Sequence, residues 1–515
     1  MKLRGFLYSL FVAAVLVAMS SCSKTPKCVS MLHDNPVLVA RIDVKQLAEK
    51  SELSKEKDAI EDHLSDLSKE AREKIKEVLD DPVNLGLDLR DPLFASVDES
   101  GDFRLVGSVF DDDDFREFLE AVSKDAGIEI KEKDGLTTVE LDGGILAFDG
   151  DCLLLTQSNG SLKKIFEGES KIAEDKDFAE MCDREGDVQL LVKGEPLVKA
   201  ADAPKDAADR LKNMSMLYDL SFNNGEIVQT FEALFKDADA KKRFENYTAM
   251  AGEIKGDFAP YFSKNGSVVF GNIDGGKLYD LLNKFDILKQ MAMSFGMSES
   301  DVKSLIKSFD GDFAIGVNEL GRMSTGNGAL YVSMKSDKLL KLITEVAGGE
   351  LKPAGTNQFA LVEDEANVAL GYKKGAFFVT VNADSVMGAR FMTPFDKAKN
   401  ALSKDDVKGK GTGLYAFLNF RLFDVEPQAK EIFKDLDYAE AYYTKDIKFI
   451  VRLVMNDKES NSFVPFVKFL YNMAPKAQAS IPYESFDMDS EMEDDDFFAD
   501  EEDAEMAAEL EELMN

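Results

Sequence analysis

The residues able to do chemistry in this chain are few. It has two histidines, four cysteines, no tryptophan and an excess of carboxylates that leaves a formal net charge of −35. His63 stands among Glu61, Asp62 and Asp66 on a helix-spaced run and reads as a solvated residue, while His33 falls in the stretch before the first strand. A zinc site or a Ser-His-Asp triad needs partners that this sequence barely offers. Asp111-Asp112-Asp113-Asp114 supplies the clustered carboxylates that calcium prefers. The matching stretch Lys335-Ser336-Asp337-Lys338 shares only an aspartate ahead of an amphipathic helix, so Asp113 and Asp337 are expected to cap helices. Gly409-Lys410-Gly411-Thr412-Gly413 imitates a phosphate loop but precedes a strand, so no helix N-terminus would face a phosphate, and it reads as a flexible turn. No catalytic, cofactor-binding or metal residue is nominated. The carboxylates are too numerous to single out a pair, which leaves a carboxylate-dependent hydrolase such as a glycosidase, or an acidic calcium-binding module, as alternative functions. The lack of tryptophan weighs against a sugar cleft.

The cysteine with the clearest role is Cys22. Lys2 and Arg4 precede an apolar run from Phe6 to Met19, too short to span a bilayer as a mature helix, and Met19-Ser20-Ser21-Cys22 resembles the lipobox cut before a lipidated cysteine. Residues 1–21 are therefore expected to be a lipoprotein signal peptide, Cys22 the lipidation site, and 22–34 a tether. Of the remaining cysteines, a Cys152–Cys182 disulfide is open to an exported protein, but buried free thiols are the preferred reading, with Cys28 free or intermolecular in the tether. Cys152 is set opposite Phe377 by the repeat described below, which makes it a core position.

Charge narrows the partners. Residues 484–515 hold sixteen acidic residues and no basic one. An acidic surface repels phosphate backbones, so nucleic acid is excluded, and membrane attachment must come from lipid on Cys22 rather than from a basic patch. The tail buries too little apolar surface to order itself and is expected to be disordered, with a basic protein as its candidate partner. No acidic cluster follows Cys22 directly, and the resemblance to lipoproteins whose surface export needs one implies the outer membrane facing the periplasm.

Those sparse chemical residues are carried by elements that recur in order. The strand-Asp-helix run Asn35 to Asp43 is echoed by Asn265 to Asp274, and Leu105-Val106-Gly107-Ser108 by Leu330-Tyr331-Val332-Ser333. Two hairpins correspond, at 145–156 and 368–381, and so do strands at 187–192 and 413–418. Glu226–Asp237 lies without gaps on Asp446–Asp457. Helix-spaced positions Ile60, Leu64, Leu67, Ala71, Ile75 and Val78 are matched by Leu288, Met291, Phe295, Val302, Leu305 and Ile306. The expected fold is α+β: two tandem related halves, each a mainly antiparallel sheet covered by helices, plus the disordered acidic tail. The boundaries are a first repeat at 35–250, a linker at 251–264, a second repeat at 265–474 and the tail at 475–515.

On these residues the chain resembles the lipoprotein family built on domain of unknown function 4836, from anaerobic Gram-negative bacteria, over about 30 to 474. The resemblance implies a lipoprotein and brings no activity or site residues. The expected function is a membrane-tethered envelope lipoprotein acting as a binding or structural module.

Overall fold

The computed structural model describes residues 26–467, apart from 52–66, 202–207, 321–325, 363–366, 383–393, 421–433 and several one- or two-residue breaks. All of them belong to the unit that ends at Leu470. Cys22, His63, Ile60, Leu64, Phe295 and the acidic tail lie outside the described residues.

The first ten strands are β1 (Leu38–Ile42), β2 (Leu93–Val97), β3 (Phe103–Ser108), β4 (Ile130–Lys133), β5 (Leu136–Leu141), β6 (Gly144–Phe148), β7 (Cys152–Thr156), β8 (Val188–Lys193), β9 (Met214–Asn223) and β10 (Glu226–Phe235). The next ten are β11 (Ser267–Asp274), β12 (Phe309–Leu320), β13 (Gly326–Met334), β14 (Lys352–Gly355), β15 (Gln358–Val362), β16 (Asn367–Lys373), β17 (Ala376–Asn382), β18 (Leu414–Asn419), β19 (Leu436–Tyr443) and β20 (Lys448–Met455). Helices α1 (Val44–Ser51), α2 (Lys69–Asp80), α3 (Asp112–Ala126), α4 (Leu162–Phe166), α5 (Lys176–Cys182), α6 (Gly194–Ala200) and α7 (Ala238–Thr248) accompany the first group. Helices α8 (Gly275–Lys284), α9 (Ile287–Ser294), α10 (Glu299–Ile306), α11 (Lys338–Val346) and α12 (Lys404–Val407) accompany the second. The protein is α+β, with a large antiparallel sheet.

Strand pairing joins all twenty strands into one ladder, antiparallel throughout: β4-β5-β6-β7-β3-β2-β1-β8-β9-β10-β20-β19-β18-β11-β12-β13-β17-β16-β15-β14. Local sequence explains the tight connections. Asn224-Gly225 closes the β9–β10 hairpin with Asn223 facing Glu226, and Gly225 takes φ +70°, a left-handed angle that glycine adopts without a Cβ clash. After β1 and β11 the same device starts a helix: Asp43 Oδ1 accepts from Gln46 N–H at 3.1 Å, and Asp274 Oδ1 from Lys277 N–H at 3.1 Å. The outermost strands are short and guarded, β4 by charge and β14 by Lys352 and Pro353.

Because side chains alternate across a strand, the sheet has two faces with different fates. One is closed by two straps. Residues 26–34 bury Cys28, Val29, Met31 and Leu32 against Val39, Phe94, Val106, Leu154 and Leu191, with α5 completing the cover. Residues 254–262 bury Ile254, Phe258, Ala259 and Phe262 against Phe270, Tyr331, Phe378 and Tyr415. Neither stretch is the slack tether or linker its composition suggests. Both are core elements, because their irregularly spaced apolar residues find a sheet to sit on.

The other face is apolar yet half open. One register row runs Leu155, Leu105, Ala95, Ala40, Leu190, Tyr218, Phe231, Phe449 across eight strands. A second runs Val451, Ala441, Ala416, Val269, Ile315, Leu330, Val379 across seven. Among the described residues, helices stand on this face at its margins. Phe115 of α3 packs edge-on to Phe148 on one flank, and Leu340 of α11 packs with Phe377 and Leu370 on the other. Leu47 of α1, Phe463 and Val467 cover one end. Helices therefore contact both sides of the sheet, not the single side that alternation alone suggests.

The register also moves one expectation by a residue. Ser108 faces Cys152, whereas Ser333 faces Ala376. The position matching Cys152 is Ala376, and Phe377 points to the opposite face, since a one-residue slip swaps faces.

Candidate functional site

Among the described residues, a histidine and two carboxylates converge where the first strap meets the β2–β3 hairpin. His33 is buried at 7% exposure, its Nδ1 2.8 Å from Ser96 Oγ and its Nε2 donating to Asp102 Oδ2 at 3.0 Å. Asp98 Oδ2 is 3.9 Å from the same nitrogen. The Asp98 carboxyl sits below its ordinary range: partial burial works against ionisation, but the Ser100 hydroxyl and amide and the Asp102 amide outweigh it. One imidazole and two carboxylates converge closely enough to hold a metal ion. The surroundings argue for a different job. Arg104 Nε lies 3.7 Å from the Asp102 oxygen that faces His33, so the carboxylate already has a cation, and the Arg104 Nη1 donates to Met31 O at 2.9 Å. His33, Asp102 and Arg104 pin the strap to the hairpin.

Beside them the strap is joined covalently. Cys28 and Cys152 form a disulfide with Cα atoms 5.6 Å apart, bridging 124 residues. This corrects the reading of free or intermolecular thiols. Cys28 falls in the segment taken for a tether, and nothing in local spacing reveals a partner so distant. Cys182 is the free cysteine among the described residues, half-buried at the edge of the same cluster. Burial pushes its thiol up to about 11, with a smaller opposing pull from Arg41.

The other buried charges are also spoken for. Asp187 accepts from Lys50 Nζ at 2.7 Å and from Phe222 N–H at 2.6 Å. Asp312 accepts from the Lys255 and Asp257 amides and from Asn272 Nδ2 at 2.8 Å. Glu440, 3% exposed, accepts from Lys410 Nζ at 2.6 Å, Tyr415 Oη at 2.8 Å and Arg452 Nη1 at 3.0 Å, and Arg452 reaches on to Glu226 across the β10–β20 seam. On the same face Arg184 bonds Glu180, Asp219 and Glu232, and Glu232 meets Lys448 at 2.9 Å. Burial alone would lower the Arg184 and Arg452 pKa values, yet these carboxylates raise both. A carboxylate saturated in this way is a poor general base or nucleophile.

The remaining nominated residues are placed as follows. Asp111, not Asp113, caps α3: its carboxylate accepts from the Asp113 and Asp114 amides at 3.1 Å, which puts the boundary two residues earlier. Asp337 occupies the N-cap of α11 without a side-chain cap bond. Lys410 to Gly413 precede β18 rather than a helix, and Gly413 takes φ +80° as its amide donates to Gly252 O. Ala71, Ile75 and Val78 are buried along α2 as their spacing predicts, and Leu67 is buried just before it. Among the described residues no helix is long and apolar enough to cross a membrane.

The fold and its saturated charges define a class: antiparallel α+β proteins whose buried ionisable groups serve architecture. Within that class, this chain belongs to the family described as "Domain of unknown function (DUF4836)", whose model matches residues 30–463. Among solved structures it is similar to crystal form IV of TP0453 at 15% identity, covering 41% of this chain and 81% of that one with a TM-score of 0.28. Form III matches at 13% identity, 43% and 87% coverage and TM-score 0.27. Form I matches at 14%, 45% and 89%, and 0.26. At these TM-scores the overlap does not define a shared fold. No curated protein matches the chain.

Proposed function

We propose that this chain is a membrane-tethered envelope lipoprotein, anchored through lipid on Cys22 in the outer membrane facing the periplasm, whose body acts as a binding or structural module. The observation that carries the reading is the Cys28–Cys152 disulfide, a cross-link that forms and persists in oxidising compartments. It lies six residues beyond Cys22. The chain between the two cysteines reaches about 20 Å at most, so acyl groups on Cys22 hold the body close to the bilayer.

The body is read as two tandem related halves, 35–250 and 265–474, joined through 251–264. What supports this is the ladder, whose order inward from one end, β4-β5-β6-β7-β3-β2-β1-β8-β9-β10, recurs ten labels higher inward from the other, β14-β15-β16-β17-β13-β12-β11-β18-β19-β20. The gapless alignment sets Thr230 on Ile450, and those two residues face each other at the seam, as a residue and its copy do across a two-fold axis. The tail at 475–515 is read as a recognition segment for a basic partner. A hydrolase or calcium-binding reading draws no support from the buried Asp187, Asp312 and Glu440, each occupied by structural donors.

Cys22→Ala should move the protein from the membrane to the soluble fraction, because stable anchoring needs acyl chains where a basic patch is lacking. Unchanged membrane retention would refute the anchor. Digestion by proteinase added to intact cells would refute the periplasmic orientation.

A further inference from the structure

The half-open face of the sheet has an unusual composition for a chain this acidic. At the paired positions of β1, β8, β9, β10, β20, β19 and β18 it carries no charged side chain, and its polar groups are the Gln229 amide and the Tyr218 and Tyr443 hydroxyls; Asp437 sits at the β19 bulge, where it meets Lys458 at 3.3 Å. Met216 is 45% exposed, Tyr443 40% and Ile315 51%. The charges of the seam are segregated to the other side, in the Arg184–Glu232–Lys448 and Glu226–Arg452–Glu440 chains. An antiparallel sheet facing water normally turns its polar side outward. Here the apolar side is left half open, with Met216, Tyr443 and Ile315 exposed.

From this we infer that the floor is a binding site for the acyl chains of a phospholipid. The chemistry of the floor selects the occupant. Every strand beneath it is paired on both sides, so the floor presents no backbone amides or carbonyls, and an extended peptide or a sugar laid on it would leave its own polar groups unmatched. Hydrocarbon has no such groups. Six strands from β8 to β18 span about 24 Å, enough for the roughly 15 Å that a chain occupies in one leaflet. A second copy fits less well: α3 and α11 stand on the same side as the floor at its flanks, and helices about 10 Å thick keep two floors from meeting flat. The site does not depend on lipidation of Cys22.

The test uses the full-length chain incubated with a phospholipid that carries a diazirine in its acyl chain, followed by photolysis and peptide mapping. Adducts should fall on floor residues such as Met216, Phe231, Val451 and Tyr443. Val451→Lys, which plants a charge mid-floor, should lower the bound phospholipid per protein about tenfold, while Thr230→Lys on the opposite face leaves it unchanged. Should Val451→Lys fail to fold, Ala441→Lys makes the same test, and adduct mapping needs no variant. Adducts confined to the opposite face, no adducts at all, or equal lipid binding by the folded floor variant would overturn the site. So would a lipid-free dimer that Val451→Lys converts to monomer, since a second copy would then cover the floor.

Discussion

The strap before β1 and the strap before β11 do the same task by different means. Each crosses the covered face and seals it just before a strand-Asp-helix unit begins. The first is fastened by the Cys28–Cys152 disulfide and the His33–Asp102–Arg104 pin. The second is fastened by rings and one carboxylate: Phe258 stacks on Tyr331 at 5.4 Å, Phe262 meets Phe270 edge-on at 5.7 Å, and Asp312 takes two strap amides. The first strap is thus held by a covalent bond and an ion pair, and the second by ring packing and amide donors, so different substitutions should loosen each.

If that contrast is right, removing the disulfide has the largest effect. Cys28→Ser or Cys152→Ser should cost roughly 4 kcal/mol in guanidinium unfolding, because the bridge closes a loop of more than a hundred residues. Wild-type protein unfolded in reductant should match the variants. A loss below about 1 kcal/mol would mean that packing alone holds the first strap. Next comes the second strap's carboxylate. Asp312→Ala leaves the Lys255 and Asp257 amides and the Asn272 amide without their acceptor in a 1%-exposed site, a cost of about 3 kcal/mol. Equal stability of Asp312→Ala and wild type would show that the rings suffice.

Cys182 sharpens the first half of the comparison through pH. Its folded thiol is raised from 9.0 to about 11, so the folded state holds a proton that the unfolded chain releases. Stability from this group is full below the unfolded value and falls as pH rises through 9 toward 11, by up to about 2 kcal/mol. Cys182→Ala should flatten that alkaline limb. In native protein at pH 8 the protonated thiol should also leave Cys28–Cys152 unshuffled, and non-reducing peptide maps showing Cys182 in a disulfide would contradict this.

How much of this was legible in sequence depends on periodicity. Strands such as Val188–Lys193 and Glu226–Phe235 announce themselves by alternation, and helix α2 by Ala71, Ile75 and Val78, because burial on one face imposes a period. The straps have no period. Pro26-Lys27-Cys28-Val29 and Asp257-Phe258-Ala259-Pro260 look like linker because their burial comes from a sheet built far along the chain. For the same reason Cys28 could not be assigned to Cys152, nor His33 to Asp102. The seam charges were equally hidden, since Glu440 and Arg452 become partners only once β19, β20 and β10 pair.

The smallest test concerns helix starts on the open face, where the first half again uses a bond that the second lacks. Asp111 accepts two amides ahead of α3, whereas Asp337 makes no side-chain cap bond ahead of α11. Asp111→Ala strands two N–H groups and should cost about 1 kcal/mol, the usual value of a capping aspartate. Asp113→Ala removes only a carboxylate near a helix dipole, and Asp337→Ala that plus an exposed ion pair to Lys341 at 3.1 Å, each worth a few tenths of a kcal/mol. Thermal unfolding of the three variants at low salt should therefore separate Asp111 from the other two. A loss at Asp113 equal to that at Asp111 would return the cap to the position that the four-aspartate run suggested, and equal losses at Asp111 and Asp337 would erase the difference between the two helix starts.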